Sequence, residues 1–384
     1  MSGADKPQGG RPPTKREMNL NVFAGRPNPR VFFQPRIEPW YDMHQRLGDI
    51  SPRLREMSLL DFYDDLRVSM RYTHYYTGMP YPVETRHSPE VKVRYAGDGE
   101  HASKTVETPY GNLVEESQLT TDKSWRTVKF MVSTEADLKA LTWLCARTTH
   151  HFNREAFLKG AANLGDRGEP QFWVPKMPYQ ALAQSWSTLD DLVVALAEIP
   201  HAVEDAMKAI DASYDPLYDE LKANSDVVHI VNFGENVHSA LLSPRYFEKY
   251  YLPYYEKRSG GLRRGGIFTH VHIDGYFKPL LPYLKDLPFD GLEALTPKPQ
   301  GDVTLEEMKA AIGDKVLLDG IPALLFMPYH TEGEFETCVR QVIKLFSPRL
   351  ILGISDEFPQ GASEAQLERV RWVVRFCEES GVRS

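Results

Sequence analysis

Residues 266–275 read Gly266-Ile267-Phe268-Thr269-His270-Val271-His272-Ile273-Asp274-Gly275. Ile267, Phe268, Val271 and Ile273 make a buried strand of this stretch, and the glycine ends it. Residues two apart on a strand point to one side, so His270 and His272 address one ligand from one strand end. Two imidazoles beside the Asp274 carboxylate are what a metal ion needs.

The surroundings of this strand repeat its logic. Asp226–Val231 is a second apolar strand, leading to Asn232-Phe233-Gly234-Glu235-Asn236, and Gly291–Leu295, Val316–Asp319 and Leu350–Ile354 are further strand candidates. Helical patterns at Ser243–Lys257, Tyr276–Leu287, Leu305–Ile312, Glu332–Phe346 and Glu364–Cys377 alternate with them. A strand every roughly 25–35 residues with a helix between them is the pattern of a parallel sheet, and eight such units close into a barrel. The expected fold is therefore α/β, a single-domain (β/α)8 TIM barrel over residues 16–384.

Upstream the rhythm is less regular. Residues 1–15 are polar and rich in glycine and proline, and are expected to be a disordered tail with order beginning near Met18. A short helix is expected at Asn19–Ala24, a strand at Arg30–Gln34, and then a loop, Arg36-Ile37-Glu38-Pro39-Trp40-Tyr41. Ser58–Tyr76 reads as helical. Glu90–Tyr95, Lys104–Glu107 and Asn112–Leu119 read as a β excursion lying over the barrel mouth. His150-His151 are taken as structural groups at a helix end.

Composition narrows the class of function. The chain has 384 residues, 42% hydrophobic, with a formal net charge of -8, which gives no basic footprint for nucleic acid. No apolar run approaches the roughly 20 residues that cross a bilayer, so a membrane role is not expected and the cytoplasm is the expected location. Cys145, Cys338 and Cys377 are too few and too far apart for a disulfide framework or a paired-cysteine metal site.

The run from Leu242 to Val374 resembles the uroporphyrinogen decarboxylase superfamily, which also contains zinc- and corrinoid-dependent methyltransferases. The resemblance lies in Leu242-Ser243-Pro244-Arg245-Tyr246-Phe247-Glu248-Lys249-Tyr250-Tyr251-Leu252-Pro253-Tyr254-Tyr255, in the His270–Gly275 turn, in Leu317-Leu318-Asp319-Gly320-Ile321-Pro322, and in Leu352-Gly353-Ile354-Ser355-Asp356-Glu357-Phe358-Pro359. The decarboxylase branch carries a paired-arginine loop for its many-carboxylate substrate. Arg36–Tyr41 keeps one arginine and puts an aromatic in place of the second, which is a poor cradle for that substrate.

The methyltransferase branch implies a His-x-Cys zinc pair and a later cysteine. His270 stands at the first position and His272 replaces the first cysteine, while the last loop offers Ser355, Asp356 and Glu357. The implied metal set is His270, His272 and Asp356, which suits Zn2+ or another divalent ion. The resemblance implies methyl transfer, an O-demethylation, from a small methoxylated aromatic substrate to a corrinoid (cobalamin). No corrinoid-binding sequence of the DxHxxG type occurs here, so a separate corrinoid protein is the expected partner.

Glu235, Asp274 and Asp319 follow strand ends, where active-site groups collect, and are the candidate catalytic acids. Arg36, Trp40, Tyr41 and Asn232 are the candidate substrate-binding residues. Two other readings stay open: a decarboxylase of a small carboxylic acid, and a non-catalytic barrel that binds a tetrapyrrole or metabolite. The oligomeric state is also open, a homodimer included.

Overall fold

The structure, a computed structural model, describes residues 11–379 apart from 122, 240 and 241. Its centre is a parallel sheet of six strands, β7 (Trp173–Val174), β8 (Ile230–Val237), β9 (Phe268–Ile273), β10 (Gly291–Glu293), β11 (Val316–Pro322) and β12 (Leu350–Ser355), ordered as in the sequence. Every residue of β10, β11 and β12 is buried. Continuous burial is what a parallel sheet covered on both faces requires, and it explains why these segments lack polar alternation.

Both sheet edges carry further backbone pairing. Leu352 of β12 bridges to Phe33, and the Gln34 N–H donates to Leu352 O at 2.8 Å. The Ser69 N–H donates to Phe33 O at 2.8 Å, and the Thr73 N–H to Gln171 O at 3.0 Å, two residues before β7. The segments around Phe33 and Tyr72 thus link β12 to β7. The second of these departs from the expected helix over Ser58–Tyr76. The helix Leu59–Leu66 is capped by Ser58 but ends at Arg67, whose positive φ of 58° turns the chain into an extended run.

The antiparallel β excursion forms as expected, in two parts. Strands β1 (Val83–His87) and β6 (Thr148–Phe152) pair with each other, and β2 (Lys92–Gly97), β3 (His101–Thr108), β4 (Gly111–Leu119) and β5 (Trp125–Lys129) make a four-stranded sheet. His150 and His151 therefore lie on β6 and not at a helix end. His150 is held beside Tyr214, and His151 Nδ1 meets Glu220 Oε1 at 2.8 Å.

Helix boundaries follow their caps. Glu332–Phe346 and Leu305–Ile312 begin at the capping boxes Thr331/Glu334 and Thr304/Glu307 and run as expected. The first helix is Lys15–Phe23, opened by Thr14 and Glu17, so order starts ahead of Met18; of the expected tail, residues 1–10 lie outside the described residues. The expected helix Ser243–Lys257 is two helices, Pro244–Tyr250 and Leu252–Arg264. Lys278–Asp286 is 3-10 where an α-helix is expected from Tyr276, because Pro279 and Pro282 remove two N–H donors.

Candidate active site

Four of the parallel strands end around a buried polar cluster. Arg71, 1% exposed, lies in the extended run after Arg67. Its guanidinium binds Glu293 of β10, Asp319 Oδ1 of β11 at 2.8 Å and Gln34 Oε1 at 3.0 Å. A buried charge persists only when its hydrogen bonds are all made, and the five donors of arginine allow this three-way tie.

Glu293 is the hub. Tyr72 OH donates to it at 2.8 Å, Asn232 Nδ2 donates to it as well, and His270 Nδ1 stands 3.2 Å away. Burial alone would raise this carboxyl, but Arg71, His270 and His272 together hold it well below the usual carboxylate range. Asp319 goes the other way: burial pushes it up to about 6 against the pull of Arg71.

The two histidines of β9 have different surroundings. His270 is fully buried and its Nε2 meets Gln171 Oε1 at 2.8 Å, while its Nδ1 lies 3.0 Å from Asn232 Nδ2. Both nitrogens are occupied, and burial lowers its basicity. His272 has its Nδ1 3.8 Å from Glu293 Oε2 and its Nε2 3.8 Å from Asp356 Oδ1, and that Nε2 is buried without a hydrogen-bond partner. Burial would lower this imidazole too, but Asp356 and Glu293 raise it.

One ligand atom from each of His272, Asp274 and Asp356 lies within 4.8 Å of the other two. An imidazole nitrogen with two carboxylate oxygens fits zinc or another divalent ion of similar character, and the orphaned Nε2 is the donor such an ion would satisfy. His270, expected as a ligand, stands outside this group because its nitrogens are already committed. Asp274, expected as a catalytic acid, stands inside it.

His272 and Asp356 open onto a cavity of about 690 Å³. On one side it is walled by Arg36, Tyr72, Tyr75, Trp173, Lys176, Asn232, His272, Asp356 and Glu357, and on the other by Thr85, Lys104, Glu115 and His150 from β1, β3, β4 and β6. Arg36 lines it, with its guanidinium bound to Asp356 and, at 2.6 Å, to Glu357 Oε1. Tyr75 OH also donates to Glu357, at 2.7 Å.

The family description of uroporphyrinogen decarboxylase (URO-D) matches residues 183–379. The chain belongs to the uroporphyrinogen decarboxylase family. Among solved structures, it is similar to a B12-independent methionine synthase from Shewanella sp. W3-18-1 in complex with selenomethionine, at 12% identity and a TM-score of 0.43, over 83% of this chain and 84% of that one. A protein of Listeria monocytogenes described as a vitamin-B12 independent methionine synthase gives 13% identity and a TM-score of 0.37 over 91% and 96%. No protein of curated function matches. Among the described residues, no helix is long and apolar enough to cross a membrane.

The remaining expected residues of this family member divide by burial. Trp40 and Tyr41 are not in the cavity: the stretch from Glu38 forms a helix, Glu38–Leu47, where Trp40 Nε1 donates to Ala362 O at 2.7 Å and Tyr41 OH to Met57 O at 2.6 Å. Both are core residues. Glu235 is fully buried; its carboxylate accepts the Met177 N–H at 2.9 Å, and burial pushes it up to about 7. Its neighbours Gly234 and Asn236 line the cavity, but Glu235 itself is turned into the wall. Asp319 is fully buried and does not line the cavity. Arg71 and Glu293 have no counterpart among the expected residues, although Glu293 sits in a strand the sequence reveals.

Proposed function

We propose that this protein is a metal-dependent methyltransferase of the O-demethylase type. It takes a methyl group from a small methoxylated aromatic compound and passes it to a corrinoid carried by a separate protein, in the cytoplasm. The sheet, with the linking segments around Phe33 and Tyr72, is read as a closed barrel of eight strands with the site at its carboxyl-terminal face. The observation that carries the reading is the unpartnered His272 Nε2 beside Asp274 and Asp356 at an aromatic cavity.

His272, Asp274 and Asp356 would hold the ion, with zinc the first candidate. Once bound, it would act as a Lewis acid on the ether oxygen, which is a poor leaving group until its charge is stabilised. The chain's own residues do the rest. Trp173, Trp186, Tyr81 and Tyr214 provide faces for an aromatic ring and reduce its contact with water. Arg36 is hydrogen-bonded to Asp356 and Glu357, and its guanidinium lies 5.3 Å from the Tyr75 ring centroid. Glu293 holds His270, Tyr72 and Asn232 in place below.

The test is metal content of protein prepared without chelator, followed by incubation of a methoxylated aromatic with reduced cobalamin and chromatography of the phenol. Near-stoichiometric zinc and phenol release, both lost in His272→Ala, are the expected results. A wild type that holds no divalent ion after supply and releases no phenol would overturn the reading.

A decarboxylase of a small carboxylic acid is the second reading, supported by the family match. Arg36, its expected clamp for the acid, already serves two carboxylates, so the clamp would have to come from another cation of the cavity wall. Carbon dioxide release without added metal would favour it.

A further inference from the structure

We propose that Lys176 forms an anion subsite in the cavity wall, so that the ligand is an aromatic carboxylate whose acid group meets Lys176 while its ring lies toward His272. The proposal rests on the methyl-transfer reading for the orientation of the ligand, but not for its binding.

The charges facing the cavity do not cancel locally. Arg36 is matched by Asp356 and Glu357. Lys104 of β3 stands directly opposite Glu115 of β4 in the antiparallel register, and both face the cavity. Lys176 is left. It is half-buried, its Nζ donates to Gly234 O at 2.5 Å, and among the described residues it has no ion pair. An ammonium has three donors, so two remain for a ligand.

The acid that acts most directly on it is Glu235, which is buried and pushed up to about 7, so this carboxyl is only partly charged at neutral pH. Burial correspondingly lowers the basicity of Lys176. An under-compensated ammonium in a partly dry wall is stabilised by any anion that reaches it. A single ammonium suits a monoanion; a phosphate dianion calls for more donors.

The span also fits. Lys176 follows β7, and His272 lies on β9, with β8 between them. Two strand spacings put these positions on the order of 10 Å apart, which a single ring with substituents at opposite ends bridges. Trp173 and Trp186 line the path, so binding has its own optical signal.

The experiment is a tryptophan-fluorescence titration with 4-methoxybenzoate and with its neutral analogue 4-methoxybenzamide. It uses wild type, Lys176→Met, Lys176→Arg and Lys104→Met, each checked for a native melt. The wild type is expected to bind the acid at least tenfold more tightly than the amide. Lys176→Met should lose that preference while still binding the amide, Lys176→Arg should regain it, and Lys104→Met should keep it. Equal binding of acid and amide by the wild type overturns the subsite, as does a preference that survives Lys176→Met or disappears in Lys104→Met alone. Acid binding that depends on Lys176 without any phenol released supports the subsite and counts against the methyl-transfer reading.

Discussion

His270 Nε2 stands 2.8 Å from Gln171 Oε1, and His272 Nε2 has no such contact. His270 has a polar contact at both nitrogens, whereas His272 Nε2 has no hydrogen bond and only Asp356 Oδ1 at 3.8 Å. His272→Ala should therefore abolish divalent metal binding with little loss of stability. His270→Ala should keep the metal but lower stability by about 2–4 kcal/mol, because Glu293 and Gln171 lose a buried partner. Metal analysis beside denaturant unfolding separates the two. Loss of metal in His270→Ala at an unchanged unfolding midpoint would return His270 to the ligand set.

Arg71 is joined to Glu293 and Asp319, which come from sequence positions more than two hundred residues away. Replacing one member of a buried ionic group leaves the others uncompensated, at a cost of about 3–5 kcal/mol. Arg71→Met should cost this much. Arg71→Met combined with Asp319→Asn should recover part of it, since one unmatched carboxylate is then removed. Urea unfolding of the single and double variants measures the recovery. An additive double variant would mean that the two residues are not energetically coupled.

In the proposed site, Arg36 and a divalent ion would compete for the Asp356 carboxylate. An adjacent opposite charge is worth roughly 1–4 kcal/mol to a carboxylate, so Arg36→Met should tighten metal binding by about tenfold or more. Calorimetric titration with zinc reads this directly. Weaker binding in the variant would show that Arg36 instead presents Asp356 to the ion.

The apolar strands and helical patterns that alternate from Asp226 onward made the second half of the fold legible, because these signals are local. The cluster around Glu293 was not legible. A lone Arg71 inside a stretch read as an aromatic helix passes for a surface charge, and nothing near it in sequence names its partners. The extended run Val68–Thr73 hid for the same reason: a buried arginine and Tyr72 break the apolar pattern that marks a parallel strand. Trp40 and Tyr41 misled in the opposite sense. Aromatics after a strand suggest a ligand wall, but Pro39 at the start of a helix turns them into the core.

Glu38 gives the fold a pH dependence of its own. It is 1% exposed, neither carboxylate oxygen has a hydrogen-bond partner, and burial pushes the carboxyl from 4.5 to about 7. Between those two values the folded chain binds more protons at this group than the unfolded chain, so stability falls as pH rises. The contribution is fully present below about 4.5 and is lost by the time the pH passes 7. Its size, for this group alone, is about 3 kcal/mol. Glu38→Gln keeps the neutral form at every pH, so it should match the wild type near pH 4.5 and exceed its stability by up to that amount at pH 8. Glu235, raised for the same reason, leaves a falling slope in both proteins. Unfolding free energies from pH 4.5 to 8 give the difference curve. A curve that is flat, or that rises toward acid, would mean that Glu38 is ionised in the folded protein.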